Sequence, residues 1–130
     1  MIDPQFKPYV DAALVYAGGT HEFSDVEAMV EAGTAQFWPG VHSCIVTQID
    51  YQPRRRVLNI FLAGGNLAEI EAMTPLVLRY GYDQGCTAAT FTGRKGWERT
   101  FLGRTGWSME MVMFAKALTE TEYGQSKRED

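Results

Sequence analysis

The chain has 130 residues and a mass of 14.6 kDa, with 45% hydrophobic, 12% aromatic and 22% charged residues. That is the composition of one globular domain with its own core, and not of a disordered segment. No apolar run approaches the roughly 20 residues of a membrane span, and the start, MIDPQFKPYVDAA, lacks the apolar stretch of a signal peptide. The expectation is a soluble, intracellular protein.

Asp3-Pro4 reads as a helix start, with Asp as N-cap and Pro at the first helical position. Phe6, Tyr9, Val10, Ala13, Leu14 and Ala17 then fall at helical spacing, and Gly18-Gly19 ends the run. Ser24 and Glu27 form an S-x-x-E capping box for a second helix, with Gly33 as its stop. After Pro39-Gly40, residues 43–50 alternate and carry β-branched side chains, Gln52-Pro53 turns the chain, and RVLNIFL over 56–62 is a second β-rich run. Residues 35–62 are therefore expected as an antiparallel meander.

Asn66 is a fair N-cap for a helix over Leu67, Ile70, Met73 and Val77, with a kink or short break at Pro75 and an end at Gly81 or Gly85. Residues 87–92 read as a strand and 97–102 as a short helix. Residues 107–117 (WSMEMVMFAKA) read as a last strand, with Met109, Met111 and Met113 on one side. Phe37, Trp38, Trp107 and this methionine stripe are expected in the core. The order α-α-β-β-β-α-β-α-β gives an α/β or α+β class with a mixed sheet. Residues 1–118 would form the domain, and 119–130 a polar, loose tail.

Charge is uneven. The net charge is −4 and the pI about 5.2, which argues against nucleic acid as the main partner. Yet residues 54–104 hold eight basic and four acidic residues, a surplus of four positive charges. Such a segment can face a phosphate-bearing ligand or an acidic protein, or be a solvated surface. Three clusters stand out. Gly64-Gly65-Asn66 opens a helix, where backbone amides can meet an anion, or is a plain strand-to-helix turn. Gly93-Arg94-Lys95-Gly96-Trp97 suits a presented loop, with Arg94 and Lys95 for phosphate or carboxylate and Trp97 for stacking. It echoes as Gly103-Arg104-Thr105-Gly106-Trp107. Arg54-Arg55-Arg56 sits at a hairpin tip, solvated or in contact with a partner. Two cysteines (Cys44, Cys86) and two histidines (His21, His42) supply no disulfide framework, no metal centre and no recognisable thiol nucleophile.

The order of elements resembles the GNAT acetyltransferase fold. RYGYDQGC over 79–86 is similar to the run before that fold's fifth strand, and Gly96-Trp97-Glu98-Arg99 with Gly106-Trp107 is similar to its end. The patterns QFWPG, LAGGN, QGCT and GRKGWER also resemble small GNAT-like proteins encoded in phage and prophage structural-gene regions. The resemblance covers about residues 25–118. The family's first strand has no counterpart here. Its pyrophosphate loop, R/Q-x-x-G-x-G/A, corresponds to 61–68, where Gly64 matches and the leading basic or amide residue does not. Its fourth-helix tyrosine is missing from 97–102.

The resemblance implies one of two activities. With the loop degenerate, the chain is a virion-associated or assembly protein that needs no cofactor. It would act through Arg94, Lys95, Trp97 and Arg54–Arg56 on other phage proteins or on itself, in the host cytoplasm or the particle. Alternatively it is an acetyl-CoA-dependent N-acyltransferase, in which Leu62, Ala63, Gly64, Gly65 and Asn66 hold the cofactor between the fourth and fifth strands of the family. Acetylation of an amine then needs a general base, for which Asp50, Asn59 and Glu110 are weak candidates. A third class, a nucleic-acid accessory protein, would use the basic segment.

Overall fold

The computed structural model describes residues 1–111 and 113–124, with Lys95 and Glu98 described in their backbone alone. The chain divides into two compact units, Met1–Trp97 and Glu98–Asp130.

The first unit begins with a 3₁₀ turn, Pro4–Phe6, whose N-cap Asp3 accepts from the Gln5 amide. It continues as α1, Lys7–Leu14, and α2, Phe23–Glu31. α2 starts earlier than the Ser24–Glu27 box implies. Its reciprocal cap is Glu22 with Asp25, the Glu22 amide donating to the Asp25 carboxylate at 2.8 Å, while Glu27 instead accepts from the Ile2 amide. Gly33, with φ of 79°, supplies the left-handed step after the helix.

The strands β1 (Gln36–Pro39), β2 (Ser43–Tyr51), β3 (Arg56–Gly65) and β4 (Ala88–Phe91) form one sheet in that order. The first three are the expected antiparallel meander, with a register irregularity at Val46/Thr47. β4 is parallel to β3, as the crossover through α3, Leu67–Asp83, requires.

α3 is one helix through Pro75, so the expected short break does not occur. Pro75 and Leu76 face solvent, while Ile70, Thr74, Val77 and Gly81 are buried. The packed stripe keeps this segment helical despite the missing amide. One face of the sheet carries α3, and Gly81 lies so close to Leu58 that a Cβ there would sit 2.9 Å from its side chain. The cluster of Phe6, Val10, Leu14 and Val26 with Cys44, Val46 and Leu62 brings α1 and α2 together with β2 and β3.

The second unit departs most from the sequence reading. The expected helix over 97–102 is replaced by two 3₁₀ turns, Lys95–Arg99 and Phe101–Arg104, the first beginning in the first unit. Among the described residues of 107–117 there is no strand. The methionine stripe is not core: Met111 and Met113 are 87% and 86% exposed and Phe114 is 92% exposed. Alternation misled here because Met, Glu, Ala and Lys, which make up most of the run, are helix formers with weak β propensity. The tail contributes a π-helical turn, Glu120–Gly124, and Lys116 pairs with Glu122 at 2.8 Å. Residues 125–130 lie outside the described residues.

Candidate functional site

The parallel pair β3–β4 is a fork. Pairing runs from Val57↔Ala88 to Ile60↔Phe91, and the Thr92 amide adds one bond to the Ile60 carbonyl at 3.2 Å. β3 then continues alone on that side through Phe61–Gly65. Phe61, Leu62, Ala63, Gly64 and Gly65 thus have β2 on one edge and no described strand on the other. A strand edge of this kind presents unpaired amides and carbonyls.

Gly64 and Gly65 are the last residues of β3, opposite Cys44 and Ser43, and not a loop opening the helix. Both must be glycine for reasons of approach. A Cβ on Gly64 would collide with the Tyr9 carbonyl oxygen, and Gly65 has φ of 112° with the His42 carbonyl equally near. The helix begins at Leu67 with Asn66 as N-cap, Asn66 Oδ1 accepting from the Glu69 amide at 2.9 Å. The Asn66 amide goes to the His42 carbonyl. Leu67 and Ala68 are exposed, and their first-turn amides have no partner among the described residues.

Glu69, in the first turn of α3, reaches the β1–β2 turn. Its carboxylate accepts from the Val41 and His42 amides at 2.9 Å each and from the Ser43 hydroxyl, so the β1–β2 turn is tied to α3. The Ser43 hydroxyl, then these two amides, hold the Glu69 carboxyl below its ordinary value of 4.5.

The loop between α1 and α2 touches both arms of the fork. Tyr16 lies under the Arg94 guanidinium, 4.1 Å from its ring centre, beyond the end of β4. His21 meets Phe61 edge-on at 5.0 Å, on the lone part of β3. Below the fork, Asn59 Oδ1 accepts from the Thr90 and Thr92 hydroxyls at 3.0 Å each. Beside it, Lys7, Asp11, Leu14, His21, Glu22 and Phe23 line an open groove of about 490 Å³. Trp97 packs tilted against Phe91, with ring centres 4.6 Å apart.

The residues singled out from the sequence do not form one surface. Leu62–Asn66 and Arg94 gather at the carboxyl end of the parallel pair. Arg54, Arg55 and Arg56 lie at the opposite end of β3, exposed. Arg56 there donates to the Gln84 carbonyl and stacks on Tyr51 at 4.9 Å, closing the end of α3. The Lys95 side chain lies outside the described residues. His21 and Tyr16 were not anticipated. Nothing in the local pattern marks them, because only the chain's return through β3 and β4 brings Phe61 and Arg94 to that loop. Asp50 is exposed near the end of β2, and Glu110 belongs to the second unit. Among the described residues no group of His, Cys, Asp or Glu could hold a metal, and no helix is long and apolar enough to cross a membrane.

No family model matches the sequence, and no curated protein matches it. Solved structures do. The protein TTHA1254 of Thermus thermophilus superposes with a TM-score of 0.60 at 10% identity, covering 88% of each chain, and a mutant form of it gives 0.61. An acetyltransferase of Trypanosoma brucei gives 0.59 at 10% identity, over 86% of this chain and 94% of its own. With its mixed four-stranded sheet and crossover helix, this chain has a GNAT-like α+β fold.

Proposed function

We propose that the protein is an acyl-CoA-dependent N-acyltransferase whose thioester lies along the open edge of β3. The observation that carries this reading is the fork: five residues of β3, Phe61–Gly65, continue past the last pairing with β4. An extended ligand with amide groups, such as the pantetheine arm of coenzyme A, can pair with such an edge as an added strand does. The amides of Leu67 and Ala68 at the start of α3 then suit the pyrophosphate. The groove beside His21 admits the acceptor amine. The absence of a basic residue from 61–68 is consistent with weak cofactor binding.

Titration calorimetry with acetyl-CoA tests the reading. Saturable binding is expected, weakened several-fold by Ala68→Glu, which puts a carboxylate at the proposed pyrophosphate position on an exposed, helix-compatible site. No heat of binding at millimolar acetyl-CoA overturns it.

A second reading is favoured by a separate observation, the exposure of Met111, Met113, Phe114 and Leu118. A run of exposed apolar side chains fits a protein-binding segment, as an assembly protein of a phage particle would carry. Retention of a phage structural protein by the chain, lost on replacing Met111, Met113 and Phe114 with serine, is its expected outcome.

A further inference from the structure

We infer that His21 is the general base of the proposed acyl transfer, with its Nε2 lone pair fixed by Thr20. The chemistry rests on the acyltransferase reading; the geometry does not. Thr20 Oγ1 lies 3.3 Å from the Ala17 carbonyl oxygen and 2.7 Å from His21 Nδ1. A carbonyl oxygen only accepts, and a hydroxyl has a single proton. One assignment satisfies both contacts: Thr20 donates to Ala17, and His21 Nδ1–H donates to Thr20. A neutral imidazole carries one N–H, so Nε2 bears the lone pair.

The position of the ring suits that role. His21 lines the groove between α1 and α2 and also rests against Phe61, the first residue of β3 beyond the fork. It is therefore the residue shared by the proposed amine site and the proposed thioester site. The charged groups facing the groove are Lys7 and Asp11 on α1, bonded to each other at 2.7 Å, and Glu22 before α2. From β3 the uncharged Phe61 meets the ring. Two carboxylates against one ammonium favour a cationic acceptor, a primary amine.

The amine arrives as an ammonium ion. His21 Nε2 takes one proton, and the freed nitrogen lone pair attacks the thioester carbonyl carbon. The C–N bond forms, the C–S bond breaks, and the thiolate sulfur takes the proton held on the imidazolium. The second surplus proton of the new amide nitrogen leaves to water.

The tautomer is tested without substrate, by a long-range ¹H–¹⁵N spectrum of the imidazoles in the free ¹⁵N-labelled protein at neutral pH. His42→Gln separates the two histidines. The expected result is protonated Nδ1 and bare Nε2 for His21, lost in Thr20→Val. A protonated Nε2 in the wild-type protein overturns the proposal. The base role is tested with acetyl-CoA and spermidine or tyramine as acceptors. His21→Gln should lower kcat about a hundredfold or more, far beyond any change in acetyl-CoA affinity. Added imidazole should restore part of the rate in His21→Ala. Equal turnover in wild type and His21→Gln overturns the base alone. A wild-type protein that binds no acetyl-CoA overturns the acyltransferase reading, and the base role with it, while the tautomer result stands.

Discussion

Glu69 ties the β1–β2 turn to α3 through its carboxylate. A carboxylate that accepts from two amides and a hydroxyl binds its proton less readily than it does in the unfolded chain. Its stabilisation is therefore fully present above the ordinary value of 4.5 and is lost as pH falls through the lowered folded value. Glu69→Gln should lower the melting temperature by a few degrees at neutral pH and flatten the acid arm of the stability curve, measured by thermal melts between pH 2 and 7. Cys44 behaves in the opposite sense. Burial pushes its thiol up to about 12 from 9.0, so the folded state keeps a proton that the unfolded chain releases. Stability is unaffected below about 9 and falls as pH rises from there towards 12. Denaturant midpoints should show this alkaline slope in the wild type and less of it in Cys44→Ala. In the folded protein Cys44 should also resist alkylation, since the thiolate is the reactive form.

At the scale of elements, the contacts that position the fork are backbone approaches. α1 lies against β3 at Gly64, where an added Cβ would run into the Tyr9 carbonyl, and α3 lies against β3 at Gly81. Gly64→Ala and Gly81→Ala should each destabilise by about 1–3 kcal/mol through overpacking, read as a lower urea midpoint. Gly64→Ala should cost more, because backbone cannot swing aside as the Leu58 side chain can. In the sequence Gly64 was visible as a turn signal and Gly81 as a possible helix end. Their reason was not, since close approach belongs to a pair of elements and a sequence presents one element at a time. The Trp107–Ala117 run failed for a related cause. Alternation states which side chains would share a face, but a strand needs a neighbouring strand to bond to.

Across the whole first unit, the sheet has two ends built from different parts. The fork, the α1–α2 loop and the α3 N-terminus meet at one end, while Arg54–Arg56 occupy the other. The double replacement Arg54→Gln, Arg55→Gln should leave both acetyl-CoA binding and the folding midpoint within about 0.5 kcal/mol of wild type, checked by calorimetry and urea titration. Local signals were sufficient for the helices near 7–14, 23–31 and 67–83, for the meander, and for the parallel crossover. Hydrophobic period, caps and turn residues act over a few positions and are written in the chain itself. They were enough to set the class of fold, a mixed sheet with a crossover helix, and to mark Leu62–Asn66 as a segment of interest. Packing in three dimensions was needed to assign Gly64 and Gly65 to the strand and to leave α3 unbroken at Pro75. Packing also brought His21 to Phe61 and Tyr16 to Arg94. Those outcomes depend on contacts between segments roughly 40 to 80 positions apart, beyond the reach of any hydrophobic period. No periodicity within one segment encodes the partner it will meet.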